Sequence, residues 1–313
     1  MNGTEAVDNI VEVEQLTKVF RDFWRRPGVR AVDGLDLTVR RGEIFGLLGP
    51  NGSGKSTTIK ILLGLLNPTS GNVSVLGKSP RDVEIKKEIG YLPEESYLYN
   101  YLTPRETLNF YGRLFGISGK LRAERIEQLL DMAGLRHAAD RPVGEFSKGM
   151  ARRIGLAQAL INDPQFVILD EPTSGLDPIG CRQVKDLMLA LAKRGKTIVL
   201  SSHLLADVED VCDRVAILYS GKIRATGRIS ELLEKRDQVR LTMPSLPPDQ
   251  MKKVLALVRE KIGDEPRVDH PSMDLEQYFL EVVEEAHRTA AAQSGVGKSS
   301  GIAGYLVKEG QER

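Results

Sequence analysis

The chain has 313 residues, 41% of them hydrophobic and 28% charged, with a formal net charge of +1. This composition fits a soluble globular protein of one large domain or two, and the near-neutral balance gives no case for a surface that binds nucleic acid or another polyanion. Cys181 and Cys212 lack metal-ligand spacing and suit a reducing cytosol better than a disulfide framework; the start "MNGTEAVDNIVEVEQ" has no signal-peptide pattern, and no apolar run approaches the roughly 18 residues of a membrane span.

From about Val11 to Leu233, strand-like and helical patterns alternate. "VEVEQLTKVF" (Val11–Phe20) and "AVDGLDLTV" (Ala31–Val39) alternate apolar and polar residues, as antiparallel strands with one exposed face do. "IFGLLG" (Ile44–Gly49) is a solid apolar run, the pattern of a strand buried on both faces of a parallel sheet. It runs into Gly49-Pro50-Asn51-Gly52-Ser53-Gly54-Lys55-Ser56, which matches G-x-x-x-x-G-K-[ST] between a strand and a helix. Glycines let successive N–H groups turn inward around a phosphate, and the helix N-terminus adds positive potential. Lys55 would reach the β- and γ-phosphates, and the Ser56 hydroxyl would bind Mg²⁺. A later "GVGKSS" (Gly295–Ser300) fails the same test, because the first glycine would fall on Ala292 and no apolar strand precedes it.

Helical patterns cover Lys55–Leu66, Thr103–Leu114, Lys120–Ala133, Lys148–Ile161 and Gly180–Lys193. "FVILD" (Phe166–Asp170) is a second buried-type strand and delivers Asp170 and Glu171 at its end. Asp170 is placed to hold Mg²⁺, which favours oxygen ligands; Glu171 is the candidate base for an attacking water. "TIVLSS" (Thr197–Ser202) is a third such strand, followed by His203, which could bond a γ-phosphate and orient the water. A lone histidine at a strand end serves structure as readily as catalysis. "RVAILYSGKIRATG" reads as a hairpin turning at Ser220-Gly221. Composition shifts near Lys235, and a domain boundary is expected near residue 236. Beyond it "MKKVLALVREKI" and "MDLEQYFLEVVEEAHRTA" read as amphipathic helices, and the small, polar end "AAQSGVGKSSGIAGYLVKEGQER" reads as a mobile tail.

With these residues in hand, residues 10–235 resemble the ATP-binding subunit of an ABC transporter. The motifs stand in family order: "GPNGSGKST" as Walker A, "FSKGM" as the signature, "FVILDE" as Walker B, "SGLD" as the D-loop and "SSH" as the switch histidine. The family's signature is Leu-Ser-Gly-Gly-Gln; here Ser147 and Gly149 remain, while Phe146, Lys148 and Met150 differ. Ser147 can cap the helix that follows it. The resemblance implies an α/β fold: a P-loop NTPase with a mainly parallel core sheet, an N-terminal antiparallel β part, a helical signature subdomain over about 95–160, and a small C-terminal α+β extension over 236–313. It implies nucleotide contacts from Gly49 through Thr57 and from Asp177, and an aromatic stacked on adenine at Phe20, with Phe23 and Trp24 as competitors. It also implies head-to-tail pairing of two subunits, so that Ser147 and Gly149 of one touch the ATP held by the other. Glu94 stands where the family has its Q-loop glutamine; a carboxylate there can still bind Mg²⁺.

The resemblance further implies ATP hydrolysis coupled to transport through a separate transmembrane permease subunit. The second ATP-binding subunit is identical or different, and the chain sits in the cytoplasm, peripheral to the membrane. "LPEE" and "FSKGM" look like an export-type branch with a C-terminal extension. Tyr97, Tyr99 and Tyr101 fall where the membrane partner would dock. The alternatives are a soluble ABC ATPase of DNA repair or translation, and a weakly hydrolysing nucleotide sensor. A single cassette with no heptad run and no basic stripe speaks against the first, and Glu171 with His203 against the second.

Overall fold

The computed structural model describes residues 8–21, 27–95, 97–234, 244–263, 266, 268 and 303–306. The chain divides into two units, Met1–Leu232 with Gly297–Arg313, and Leu233–Val296.

Two sheets organise the first unit. The smaller is antiparallel, with β1 (Asn9–Arg21) between β2 (Pro27–Arg40) and β4 (Ser70–Val75). The larger contains β3 (Ile44–Leu48), β5 (Ile89–Leu92), β6 (Phe166–Asp170), β7 (Thr197–Ser202), β8 (Arg214–Tyr219) and β9 (Lys222–Arg228). Its order is β5-β6-β7-β3-β8-β9. All its pairings are parallel except the β8–β9 hairpin. That hairpin turns at Ser220 (φ +49°) and Gly221 (φ +76°), the two left-handed positions that match the twist of the flanking strands.

The solid apolar runs have a physical reason. Every residue of β3, β6 and β7 is buried, and alternate residues enter opposite cores. Ile44, Val167, Leu169, Ile198 and Leu200 face one; Phe45, Leu47, Phe166, Ile168 and Val199 face the other. The first core is covered by α2 (Pro104–Leu114), α3 (Gly119–Met132), α4 (Lys148–Leu160), α5 (Pro178–Ala192) and α6 (Leu205–Val211). The second is closed by α1 (Lys55–Leu62) and the small sheet. Thr103 starts α2 with a capping box shared with Glu106, and Pro104 supplies its first turn. α1 stops short of the expected Leu66 because Gly64 turns left-handed (φ +66°). β4, β5 and α6 carry too short a periodic pattern to stand out in the sequence.

In the second unit α7 spans Pro248–Ile262, begun by a proline and ended by Gly263 at φ +75°. The helix expected over 273–290 and the second glycine-lysine stretch lie outside the described residues. Of the tail expected to be mobile, only residues 303–306 are described. Ala303 and Leu306 are packed, each 2% exposed, against the core of the first unit. No described helix is long and apolar enough to cross a membrane.

Candidate nucleotide site

β6, β7 and β3 are neighbours running in one direction, so their C-terminal ends share one sheet edge, where open α/β sheets hold ligands. In register, Leu48 stands beside Ser202 and Asp170 beside Ser201. The glycine loop, the acidic pair and His203 therefore leave the sheet side by side.

The loop is tightly confined. A Cβ on Gly49 would lie 2.3 Å from the Leu218 carbonyl oxygen, and one on Gly54 2.6 Å from that of Ala31, with Gly54 itself at φ +109°. Gly54 caps α1 without a side chain, and no acid occupies the first turn. The first N–H groups of α1 thus stay open for an anion. Pro50, Asn51 and Gly52 are exposed at the rim, and Ser56 and Thr57 are half-buried in the first turn. The Ser53 hydroxyl oxygen is buried and has no hydrogen-bond partner among the described residues. Lys55, only 6% exposed, donates from Nζ to the Gly49 carbonyl at 2.6 Å and lies 3.8 Å from Glu171 Oε1.

Glu171 is held from several sides. Its backbone is left-handed (φ +52°), a conformation that costs a residue with a Cβ about 1 kcal/mol. Its N–H reaches both the carbonyl and the Oγ of Ser201, each at 3.1 Å. Its Oε2 lies 2.8 Å from His203 Nδ1. Asp170, buried beside it, accepts from Ser201 Oγ. An unpartnered buried hydroxyl, open helix amides and an enclosed ammonium fit phosphate oxygens. The Ser56 hydroxyl and the Asp170 carboxylate are hard oxygen donors of the kind Mg²⁺ takes alongside phosphate. Among the described residues no three acidic, histidine or cysteine side chains gather into a metal cluster of their own.

The signature residues lie elsewhere. Ser147 caps α4, accepting from the Met150 N–H at 3.2 Å, and Asp177 caps α5, accepting from the Gly180 N–H at 2.7 Å. The two helix starts border a cleft of about 460 Å³ lined by Ser147, Lys148, Gly149, Gly175, Asp177 and Gly180. Among the described residues no hydrogen bond joins this cleft to the glycine loop.

Comparison with known proteins bears on this arrangement. The ABC transporter family matches residues 32–174. An uncharacterized ABC transporter ATP-binding protein, sll0415 of Synechocystis, is 46% identical over 72% of this chain and 64% of its own length, so this chain spans just under two thirds of that relative. The Nod factor export ATP-binding protein I of a Rhizobium species is 45% identical over 65% of this chain and 68% of its own. The chain belongs to the ABC transporter family. Among solved structures, the dimeric ATP-binding cassette MJ0796, bound to ADP and phosphate after hydrolysis, superposes with a TM-score of 0.63. It is 28% identical over 70% of this chain and 98% of its own.

For an ABC ATP-binding subunit, two expected residues sit differently from the rest. Glu94 follows β5, but its side chain is exposed, and among the described residues only its carbonyl is tied to the site. Phe20, 43% exposed on β1, has Lys18 Nζ 5.3 Å from its ring centre and directly follows Val19, which pairs with Arg30 beside the Ala31 that confines Gly54. Phe23 and Trp24 lie outside the described residues.

One residue of this ABC subunit that the sequence reading passed over is Arg152 on α4. Buried, with no carboxylate bonded to it among the described residues, it donates to the carbonyls of Glu94 at 2.9 Å, Glu171 at 2.6 Å and Pro172 at 3.3 Å, and to those of Pro93 and Asp170. Burial holds its pKa down to about 10, so it stays charged at neutral pH. The signal was an arginine on the apolar stripe of α4, in step with the buried Leu156 and Leu160.

Proposed function

We propose that the chain binds ATP with Mg²⁺, hydrolyses it as one of a pair of such subunits, and drives export through a separate transmembrane partner from the cytoplasmic face of the membrane. The observation that carries this reading is Glu171: a buried carboxylate in a strained backbone, faced by Lys55 on one side and His203 on the other. A base needs this placement, an ionised carboxylate oriented by its neighbours at the edge where the phosphates would lie.

Gly49 through Thr57 wrap the phosphates with backbone amides, Lys55 meets their charge, and His203 aligns Glu171. Ser56 and Asp170 hold the metal, with Glu94 as a further oxygen ligand; when bound, Mg²⁺ neutralises charge on the phosphate oxygens. Phe20 stacks on the base. Ser147, Gly149 and Asp177 border an open cleft away from the loop, which supports their meeting the nucleotide of a second subunit. Tyr97, Tyr99 and Tyr101 are exposed, with Tyr99 packing edge-on against Phe110 at 6.0 Å. Such an aromatic patch suits contact with the membrane partner. A relative named for Nod factor export supports the outward direction.

The test is Glu171→Gln. Phosphate release should fall at least about 100-fold while nucleotide binding persists, and sizing with Mg-ATP should show a dimer that wild type does not accumulate. Release at the wild-type rate would remove Glu171 from the role of base and make Glu94 the next candidate. A variant that binds ATP yet stays monomeric would count against the paired site.

A further inference from the structure

Ala303–Leu306 follow the second unit in sequence, yet they are seated in the first. Gly304–Leu306 form a single 3-10 turn. The Tyr305 N–H donates to Gln128 Oε1 at 2.8 Å, its hydroxyl donates to the Leu160 carbonyl at 2.8 Å, and the Arg125 guanidinium covers its ring at 4.6 Å. Burial pushes the Tyr305 hydroxyl pKa well up, so it remains a donor. The Leu306 carbonyl accepts from Arg194. These partners come from three places: Arg125 and Gln128 on α3, Leu160 at the last position of α4, and Arg194 just past the end of α5.

The far ends of the same two helices are the informative part. α4 begins at Ser147 and α5 at Asp177, the caps that border the signature cleft. α4 has 13 residues and α5 has 15, so each is a rod roughly 20 Å long. A tie across the rear ends of two rods restrains the gap between their front ends. We propose that Ala303–Leu306 is a clip that sets the spacing of α4 and α5 from behind and holds the signature cleft in the shape that receives the second subunit's nucleotide. This rests on the paired-site reading of that cleft. In sequence the extension, Leu233–Val296, lies between the two parts of the first unit, and the clip follows it. Any event in the extension that withdraws the clip is thereby felt at the cleft.

The test uses the full chain with Tyr305→Ala, Gln128→Ala, and Tyr305→Phe, which keeps the packing and loses only the bond to Leu160. Hydrogen exchange without nucleotide comes first. Amides 151–155 of α4 and 181–185 of α5 should exchange about threefold faster or more in Tyr305→Ala, less so in the two milder variants, with α1 unchanged. Acceleration confined to α3, residues 160–163 and 192–196 would overturn the clip. The second arm places Tyr305→Ala in the Glu171→Gln chain. The protein concentration for half-dimerisation in ATP should rise about tenfold, and dimerisation at the parent concentration would overturn the proposal. A Glu171→Gln parent that never dimerises would sink the paired-site reading instead, and the exchange arm, which needs no dimer, still decides whether the clip exists.

Discussion

The glycine loop and the signature segment both present helix N-termini, yet they treat them differently. At α1 the cap is a glycine with no side chain, so the first amides stay open, and the carbonyls of Ala31 and Leu218 crowd the loop from behind. At α4 and α5 the caps are Ser147 and Asp177, each spending its side chain on one amide, and the space before them is a cleft of about 460 Å³. The loop side is furnished from within: Lys55, Glu171, His203 and Ser201 complete one another's contacts. On the proposed paired-site reading, the signature side offers half of a binding surface. Chemistry that needs both must bring a second copy to the cleft, and the two sides must stay coordinated within one chain.

Arg152 is where they meet, and it offers the hardest test of that contrast. It lies five positions after Ser147 on α4, but its guanidinium ends on the carbonyls around Glu94 and Glu171. Arg152→Gln leaves several buried carbonyls short of donors, and urea unfolding should show a loss of about 3 kcal/mol. Phosphate release should fall about tenfold or more at saturating ATP, with KM little changed, because the base shifts and the loop does not. Arg152→Lys keeps the charge but not the fork and should fall between. If turnover survives the loss of stability, Arg152 is a buttress and the two sides are independent.

A milder change tests the signature side alone. Ser147→Ala removes a cap worth about 1 kcal/mol. In the Glu171→Gln chain it should weaken ATP-driven dimerisation about tenfold on sizing while leaving nucleotide affinity of the monomer intact. Equal loss of monomer affinity would place Ser147 in its own chain's site and erase the distinction.

What the sequence made legible followed from local demands. Gly49–Ser56 needs backbone conformations and a flanking strand and helix that are all visible within one stretch. β3, β6 and β7 announce themselves because two-sided burial keeps them apolar except at their ends, where Asp170, Thr197, Ser201 and Ser202 stand. Contacts made at long range were hidden. The carbonyls that Arg152 grips at Glu94 and Asp170 lie 58 and 18 positions away, and Tyr305 reaches Gln128 across 177. Local composition therefore read the final segment as loose, although two of its side chains complete a core. Glu94 shows the limit from the other direction: its place in the chain was plain, but not that its carbonyl would be tied down while its carboxylate stayed exposed.

The smallest expected effect concerns Phe20. Phe20 is an exposed aromatic on β1, and the only described neighbour over its ring is the Lys18 ammonium. A stacked adenine would cover it, adding about 1 kcal/mol, so Phe20→Ala should weaken ATP binding about fivefold. Tripolyphosphate offers the loop the same phosphates without a base, and its affinity should not move. Calorimetry with both ligands on the Glu171→Gln chain separates the outcomes. A loss for ATP alone assigns the base to Phe20. Equal losses mean that the change has disturbed the loop through β1 and β2. No loss for either transfers the role to Phe23 or Trp24, and with it the side from which the nucleotide enters.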